Sequence, residues 1–467
     1  MRAPELRPSR TVVVAAIVFA AVYVALDCNK LFALRYGADT GTFLQWLTGE
    51  AHGRGSWDGA EYRPHLQVHD SWGLLALVPL LAAAPFAQTL LVVQVLAIAA
   101  AALPLAAFAR ACGASARSAN IVALAYLLSP SAQGLAYGNF LENVFVPLLA
   151  AVGALAVRLR RALPALIAAQ ALLGLKEDEA LFLAWFGAAC ALWWDRRIGL
   201  AIAGLALING VAFVVYEHLQ GARPSLPGYA LHVDDPGVKL AFFAALLAPF
   251  AFGPLALGAR ILLAAPLVAE LLFNRPWAYP IARIGTHWTA PLVAATALAS
   301  AVAVARFPRL ASPMLACAIL CALAINDTVL KPGRWPYVID PSAYAAVIAL
   351  RDGDRAATIR RPQEGVYAVA ASNPRVVLAP YEPHEGGYCP AYDTNGHAFF
   401  SALFTGRLPP DFALCGGVPV LAHAPAKTSM VMERAQRNHP PSVMLLRART
   451  GGPTRSVGGA QPGAERL

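Results

Sequence analysis

The sequence predicts an α-helical polytopic membrane protein with a small C-terminal α/β domain, and three observations lead there. Long apolar runs recur, as at Thr11–Leu26 and Thr89–Ala109. Arginines gather in the short connections between such runs. Beyond Asn326 the apolar runs give way to mixed sequence. The composition agrees: 14% of residues are charged, against about 25% in an ordinary soluble chain, and the mean hydropathy is +0.53.

Taken in order, the first run follows Arg2, Arg7 and Arg10. It lacks a small-x-small cleavage site before Asp27 and opens a multispanning chain, so it reads as a retained helix rather than a signal peptide. Arg110/Arg117, Arg158/Arg160/Arg161, Arg196/Arg197, Arg260 and Arg306/Arg309 mark further connections on the same side, opposed there by Glu5 and Asp195 alone. The positive-inside rule assigns this side to the cytoplasm. The net charge of +10 is thus a topology signal, and nothing in its distribution suggests a nucleic-acid partner.

These constraints predict about 11 transmembrane helices, near residues 11–27, 87–109, 119–137, 139–157, 163–175, 180–194, 198–216, 239–257, 260–273, 286–305 and 311–326. The N-terminus is then cytoplasmic and the C-terminal domain extracytoplasmic. The apolar stretch 72–84 is left over. As a helix it is only about 20 Å long, too short for a ~30 Å hydrocarbon core, and counting it as a crossing would invert Arg110 and Arg117. It reads as an outer interfacial helix. Residues 28–86 form a long first outer loop within a transmembrane domain of residues 1–326. No internal repeat of the kind transporters are built from is evident.

Residues 327–449 form the extracytoplasmic domain. "DPSAYAAVIAL" offers a helix start, with Asp340 or Ser342 as cap. "EGVYAVAASNPRVVLAPYE" reads as two short strands about an Asn-Pro turn. Residues 450–467, rich in Gly, Pro, Ser and Arg, read as a disordered tail. Cys389 and Cys415 share the outer domain, leaving a disulfide open, whereas Cys317 and Cys321 read as packing residues on one helix face.

Candidate chemistry lies where polar residues interrupt this pattern. From Ala162 to Trp194 the only charges are Lys176, Glu177, Asp178 and Glu179. Arginines bracket the segment at both ends, so it must turn back at those charges. A charge at the bilayer centre costs about 2.5–3.5 kcal/mol, so the four must face water, each other or a protein cavity. The readings are a solvated turn or half of a polar site. In the first outer loop, "RYGADTGTFLQWLTGE" places Asp39 after an apolar helix end, and "RPHLQVHDSWG" places His65, His69 and Asp70 before the interfacial helix. A carboxylate there could deprotonate an acceptor hydroxyl, or it could simply cap the helix that follows. His65, His69 and Asp70 form a short, unspecific metal pattern. Glu142 and His287 also sit at outer helix ends. Together these residues concentrate polarity on one membrane face.

The segments "GADTGTFLQWLTGEAHG", "HDSWGLLALVPLL", "FLENVFVPLL", "LLGLKEDEALFLAWFG" and "THWTAPLV" resemble, in the same order, those of a bacterial family of polytopic membrane proteins catalogued as a domain of unknown function (family twenty seventy-nine). The resemblance covers roughly residues 10–400. Members carry a His-Pro-Glu in the fourth segment; here the residues are Phe140, Leu141 and Glu142, so only the glutamate is kept. In layout the family is similar to the C-type glycosyltransferases, which move a sugar from a polyprenyl-phosphate carrier to an acceptor at the outer face.

That likeness implies a glycosyltransferase-like enzyme of the bacterial inner membrane. Its base would be Asp39. Arg35, Lys176 or Arg283 would neutralise the lipid phosphate, and Glu177 and Asp178 would orient the sugar or a divalent cation. His69, Asp70, Glu142 and His287 would complete the substrate site. A transporter or lipid flippase, and a non-catalytic envelope assembly protein, are the other readings. Sugar, acceptor, metal requirement and oligomeric state are not legible.

Overall fold

The computed structural model describes residues 7–32, 36, 38–53, 57–58, 63–67, 69–219, 236–264, 284–325 and 344, together with five strands between 355 and 446. Helix α1 runs Arg10–Phe32 and α2 Ala38–Ala51. Two-residue strands β1 (Trp57–Asp58) and β2 (Arg63–Pro64) pair antiparallel. A 3₁₀ turn at Trp72–Leu77 leads into α3, Val78–Ala83. Then follow α4 (Ala87–Ala111), α5 (Ala116–Leu128), α6 (Pro130–Tyr137), α7 (Val146–Arg158), α8 (Ala162–Leu173), α9 (Glu179–Trp193) and α10 (Arg196–Leu219). The remaining helices are α11 (Pro236–Leu247), α12 (Ala290–Arg306) and α13 (Ala311–Ala324).

Local chemistry sets the breaks between these helices. The stretch read as one span over 119–137 is divided at Ser129. That hydroxyl accepts from the Ala132 amide, and Pro130 supplies a first helical position that needs no N–H. Asp195 caps α10 by accepting from the amides of Arg197 and Ile198 at 3.0 and 3.1 Å. Gly113, at φ 103°, turns the chain out of α4. Arg160, at φ 55°, occupies the equivalent left-handed position between α7 and α8. A 3₁₀ segment, Gly253–Ala264, is broken at Gly258, where the backbone is non-helical.

Among the described residues, four helices are long and apolar enough to cross a membrane: Arg10–Phe32, Ala87–Ala111, Arg196–Tyr216 and His287–Arg306. The last combines α12 with a preceding 3₁₀ turn, His287–Thr289. At 1.5 Å per residue each exceeds or matches the ~30 Å core. The other apolar helices have 10–17 residues, so of the eleven expected crossings these four are long enough on their own. The interfacial helix expected at 72–84 is the 3₁₀ turn with α3.

Burial divides the long helices into an inner and an outer pair. The apolar windows of α12 and α4 are 83% and 67% buried, while those of α1 and α10 are 33% and 22% buried. Helix α4 packs against α1, α5, α7 and α12. Leu207, Ile208 and Val211 of α10 are more than 60% exposed, the outward face expected of a helix solvated by lipid. Helices α9 and α10 approach through glycines: a Cβ on Gly199 would stand 2.2 Å from the Ala191 amide nitrogen.

The stretch expected as a long loop over 28–86 is more structured than its polarity suggests. Helix α1 runs to Phe32, five residues beyond the expected end, and so takes Asp27 into its buried face. Within α2, Thr40, Phe43, Leu44, Trp46, Leu47 and Thr48 are all buried. In the C-terminal region β3 (Arg355–Ile359) pairs parallel with β4 (Val377–Tyr381) and antiparallel with β7 (Met444–Leu446). β5 (Phe412–Cys415) and β6 (Val418–Leu421) form a hairpin. Thus β4 is the second of the two strands expected about the Asn-Pro turn; the first, the tail 450–467 and Cys389 lie outside the described residues. Tyr344 sets its ring edge-on to Phe32 at 5.0 Å and accepts a hydrogen bond from Gln88.

Candidate functional site

The turn between α8 and α9, residues 174–178, is held to the segment between α2 and α3 by backbone. The Gly73 amide donates to the Gly174 carbonyl at 2.7 Å. A Cβ on Gly73 would come within 2.7 Å of that same oxygen, so glycine at this position is a requirement of close approach. This contact places Lys176 and Glu177 beside the segment that carries His69 and Asp70.

Glu177 uses both carboxylate oxygens on that segment. Oε1 lies 3.2 Å from His69 Nδ1, and Oε2 accepts from the Asp70 amide at 3.3 Å. Burial opposes ionisation of both partners, but their mutual hydrogen bond and charge prevail. Glu177 is held below its ordinary range, and His69 is raised above 6.5 with further help from Glu142. Asp70 receives no such compensation. Burial, then the Glu177 charge, pushes its carboxyl up to about 6.

Lys176 reaches the other way. Its Nζ lies 3.5 Å from Glu142 Oε1, in the 3₁₀ turn Glu142–Phe145 that begins the α7 arm. Burial disfavours the ammonium, yet Glu142, Asp178 and Glu177 together raise its pKa above the ordinary lysine value. Next in sequence, Asn143 donates from Nδ2 to Glu179 Oε1 at 3.5 Å. Glu142, Asn143 and Glu179 are 2%, 3% and 2% exposed.

Asp39 stands apart from this network. It is exposed in the first turn of α2, and Asn139 donates to its Oδ2 at 3.1 Å. Beside it, Thr40 Oγ1 accepts from the Phe140 amide at 3.1 Å. The start of α2 is thereby fixed to residues 139–140, immediately before Glu142. Asp178 is exposed ahead of α9. His287 opens the 3₁₀ turn before α12, which packs against the Glu142–Phe145 turn. Arg35 and Arg283 lie outside the described residues.

The short metal pattern does not assemble. His65 is buried and stacked on Trp46, ring centroids 4.2 Å apart. Among the described residues no three His, Cys, Asp or Glu side chains are grouped to hold a metal ion.

Three polar partners escaped sequence reasoning. Asn143 and Asn139 flank Glu142, and each fixes a carboxylate, but asparagine at a helix start ordinarily signals only a cap. The third lies within α1, where Asp27 is 1% exposed and accepts from the Tyr36 hydroxyl at 2.7 Å. Lys30, one turn on, donates to the Tyr137 carbonyl at 2.7 Å and lies over the rings of Tyr36 and Tyr137. The available signal was a carboxylate and a lysine three apart at the end of an apolar run.

Residues 30–226 match the family described as Predicted membrane protein (DUF2079). The match bears out the resemblance noted in the sequence, over a shorter stretch. The DUF2079 region takes in Asp39, His69, Asp70, Glu142, Asn143, Lys176, Glu177 and Glu179, and so holds the whole network; only His287 and Arg283 of the candidate residues lie beyond it. No curated protein and no solved structure matches the chain. Its apolar helices are those of a multi-pass membrane protein.

Proposed function

We propose that this chain is an integral membrane glycosyltransferase-like enzyme of the bacterial inner membrane. It would transfer a sugar from a polyprenyl-phosphate carrier to an acceptor at the extracytoplasmic face. The N-terminus and the arginine-bearing connections lie in the cytoplasm, and the C-terminal region lies outside. The observation that carries the reading is the joining of Lys176 to Glu142 and of Glu177 to His69 and Asp70, where the start of α7, the α8–α9 turn and the first outer loop meet.

Each part has a chemical role in such a reaction. A departing lipid phosphate needs a cation, and Lys176 is kept charged by three surrounding carboxylates. The acceptor needs a base, and Asp39 presents an exposed carboxylate steadied by Asn139 on one oxygen. Glu177, held ionised by His69, is suited to accept hydrogen bonds from sugar hydroxyls.

The test compares envelope glycolipids and glycoproteins by mass spectrometry in a deletion strain carrying wild type or Asp39→Asn. Loss of a specific glycan in the deletion, restored by wild type and not by the variant, supports the proposal. Unchanged glycans in the deletion would turn the assignment to a transporter, a flippase or a non-catalytic assembly protein. Full restoration by Asp39→Asn would remove Asp39 as base.

A further inference from the structure

We infer that Glu142, Asn143 and Glu179 form a binding site for a divalent cation of oxygen-ligand preference, beside the Lys176–Glu142 pair. The starting observation is a set of acceptors that the protein itself leaves without donors. Glu142 Oε2, Asn143 Oδ1 and Glu179 Oε2 are fully buried, and none accepts a hydrogen bond. Glu142 and Asn143 are adjacent on one 3₁₀ turn, and the Asn143 amide group reaches Glu179 at 3.5 Å. Glu179 also lies within Coulomb reach of Asp178, Lys176 and Glu142, one cation among three carboxylates.

Buried polar atoms are nearly always satisfied, and buried carboxylates are paired or bind a metal. Here the positive charge is insufficient. Lys176 is directed at Glu142 Oε1, the opposite oxygen from the one left without a donor. The hydrogen bond that Glu179 accepts comes from a neutral amide, and Lys176 acts on it only through space. Protonating Glu179 would not resolve the arrangement, because the new O–H satisfies itself and one acceptor and leaves the third. A cation that draws on all three oxygens satisfies them together and neutralises the excess charge. Two carboxylates and an amide carbonyl are hard oxygen donors, the set that suits Mg²⁺, Ca²⁺ and Mn²⁺ rather than softer ions.

The inference does not depend on sugar transfer, and its test reads binding alone. Full-length protein, purified in detergent, is titrated with Mn²⁺ and the free ion is followed by electron paramagnetic resonance, with Mg²⁺ and Ca²⁺ as competitors. Wild type is expected to bind one Mn²⁺ per chain saturably. Glu179→Gln should weaken binding by at least the roughly 10–100-fold that losing even an outer-shell partner costs. Asn143→Ala, the milder change, should weaken it measurably and serves if Glu179→Gln does not fold. Asp39→Asn should bind as wild type. Absence of saturable binding, or equal affinity in wild type, Glu179→Gln and Asn143→Ala, overturns the site. Loss of Mn²⁺ binding in Glu179→Gln with envelope glycans unaltered would uphold the site and separate it from sugar transfer.

Discussion

Lys176 and Glu142 meet at 3.5 Å with side chains only 18% and 3% exposed, joining the α8–α9 turn to the start of the α7 arm. Removing one member of a buried pair strands the other, at a typical cost of about 3–5 kcal/mol. Lys176→Met should therefore lower stability by that order, because Glu142 loses its cation. Lys176→Met combined with Glu142→Gln should recover a large part of the loss, since Glu142 then no longer carries a stranded charge. Thermal unfolding of the single and double variants in detergent measures this. A double variant no more stable than Lys176→Met would show that the two do not act as a pair.

The His69–Glu177 contact should give stability a defined pH window. Glu177 is held below its ordinary 4.5, so its contribution is present above 4.5 and is lost as pH falls through the folded value. His69 is raised above 6.5, so its contribution is full below 6.5 and fades as pH rises through the folded value. The pair contributes most between about pH 4.5 and 6.5. Asp70 acts oppositely. Its carboxyl is raised from 3.8 to about 6, so ionising it costs stability across that interval. That cost is common to wild type and His69→Gln and largely cancels in their difference. The gap in Tm between them should be widest at pH 4.5–6.5 and should shrink in alkaline buffer. A gap that widens with rising pH would contradict the arrangement.

What could be read beforehand follows from which forces are local. The alternation of arginines with apolar runs located α4, α8, α9, α10, α12 and α13 to within a few residues, because solvation by lipid is written along each segment. The turn at Lys176 was legible for the same reason, since both its flanks had to return to one side. The partners of those charges were not legible. Glu142 lies 34 positions from Lys176, and Glu177 108 positions from His69. Nothing local couples them. The bridge between Gly73 and Gly174 is a contact of backbone with backbone, and a single glycine in a loop has many other uses. Asp27 is the last residue of the first expected span, because a carboxylate reads as the close of an apolar run. Its burial becomes intelligible only once Tyr36 and Lys30 are beside it.

Two glycine pairs should be intolerant of even one added methyl group. A Cβ on Gly134 of α6 would stand 2.2 Å from the Gly285 Cα, and one on Gly73 would stand 2.7 Å from the Gly174 carbonyl oxygen. Both neighbours are backbone and cannot rotate aside. Gly134→Ala and Gly73→Ala should each cost about 1–3 kcal/mol by overpacking. Gly204→Ala is the internal control, because nothing lies within 4 Å of its Cβ position in α10. There the usual helical preference for alanine should leave stability unchanged or raise it by up to about 1 kcal/mol. Unfolding midpoints of the three variants decide the matter. Equal behaviour at all three positions would refute the close approach.

The outward face of α10 separates a lipid-solvated helix from one covered by water or protein. Leu207 and Ile208 are 62% and 68% exposed at the middle of a 21-residue apolar span. In lipid, exchanging one apolar side chain for a smaller one on that face changes little, because chain and solvent are equally apolar. Leu207→Ala should thus leave the detergent-solubilised protein within about 0.5 kcal/mol of wild type, the usual bound for a change away from packed features. Leu207→Arg should cost about 2.5–3.5 kcal/mol on insertion scales, so the variant should accumulate poorly in membranes. Membrane fractionation and quantitative blotting of the two variants test both statements. If Leu207→Arg accumulates like Leu207→Ala, this face of α10 does not meet hydrocarbon, and the span assigned to Arg196–Tyr216 would have to be withdrawn.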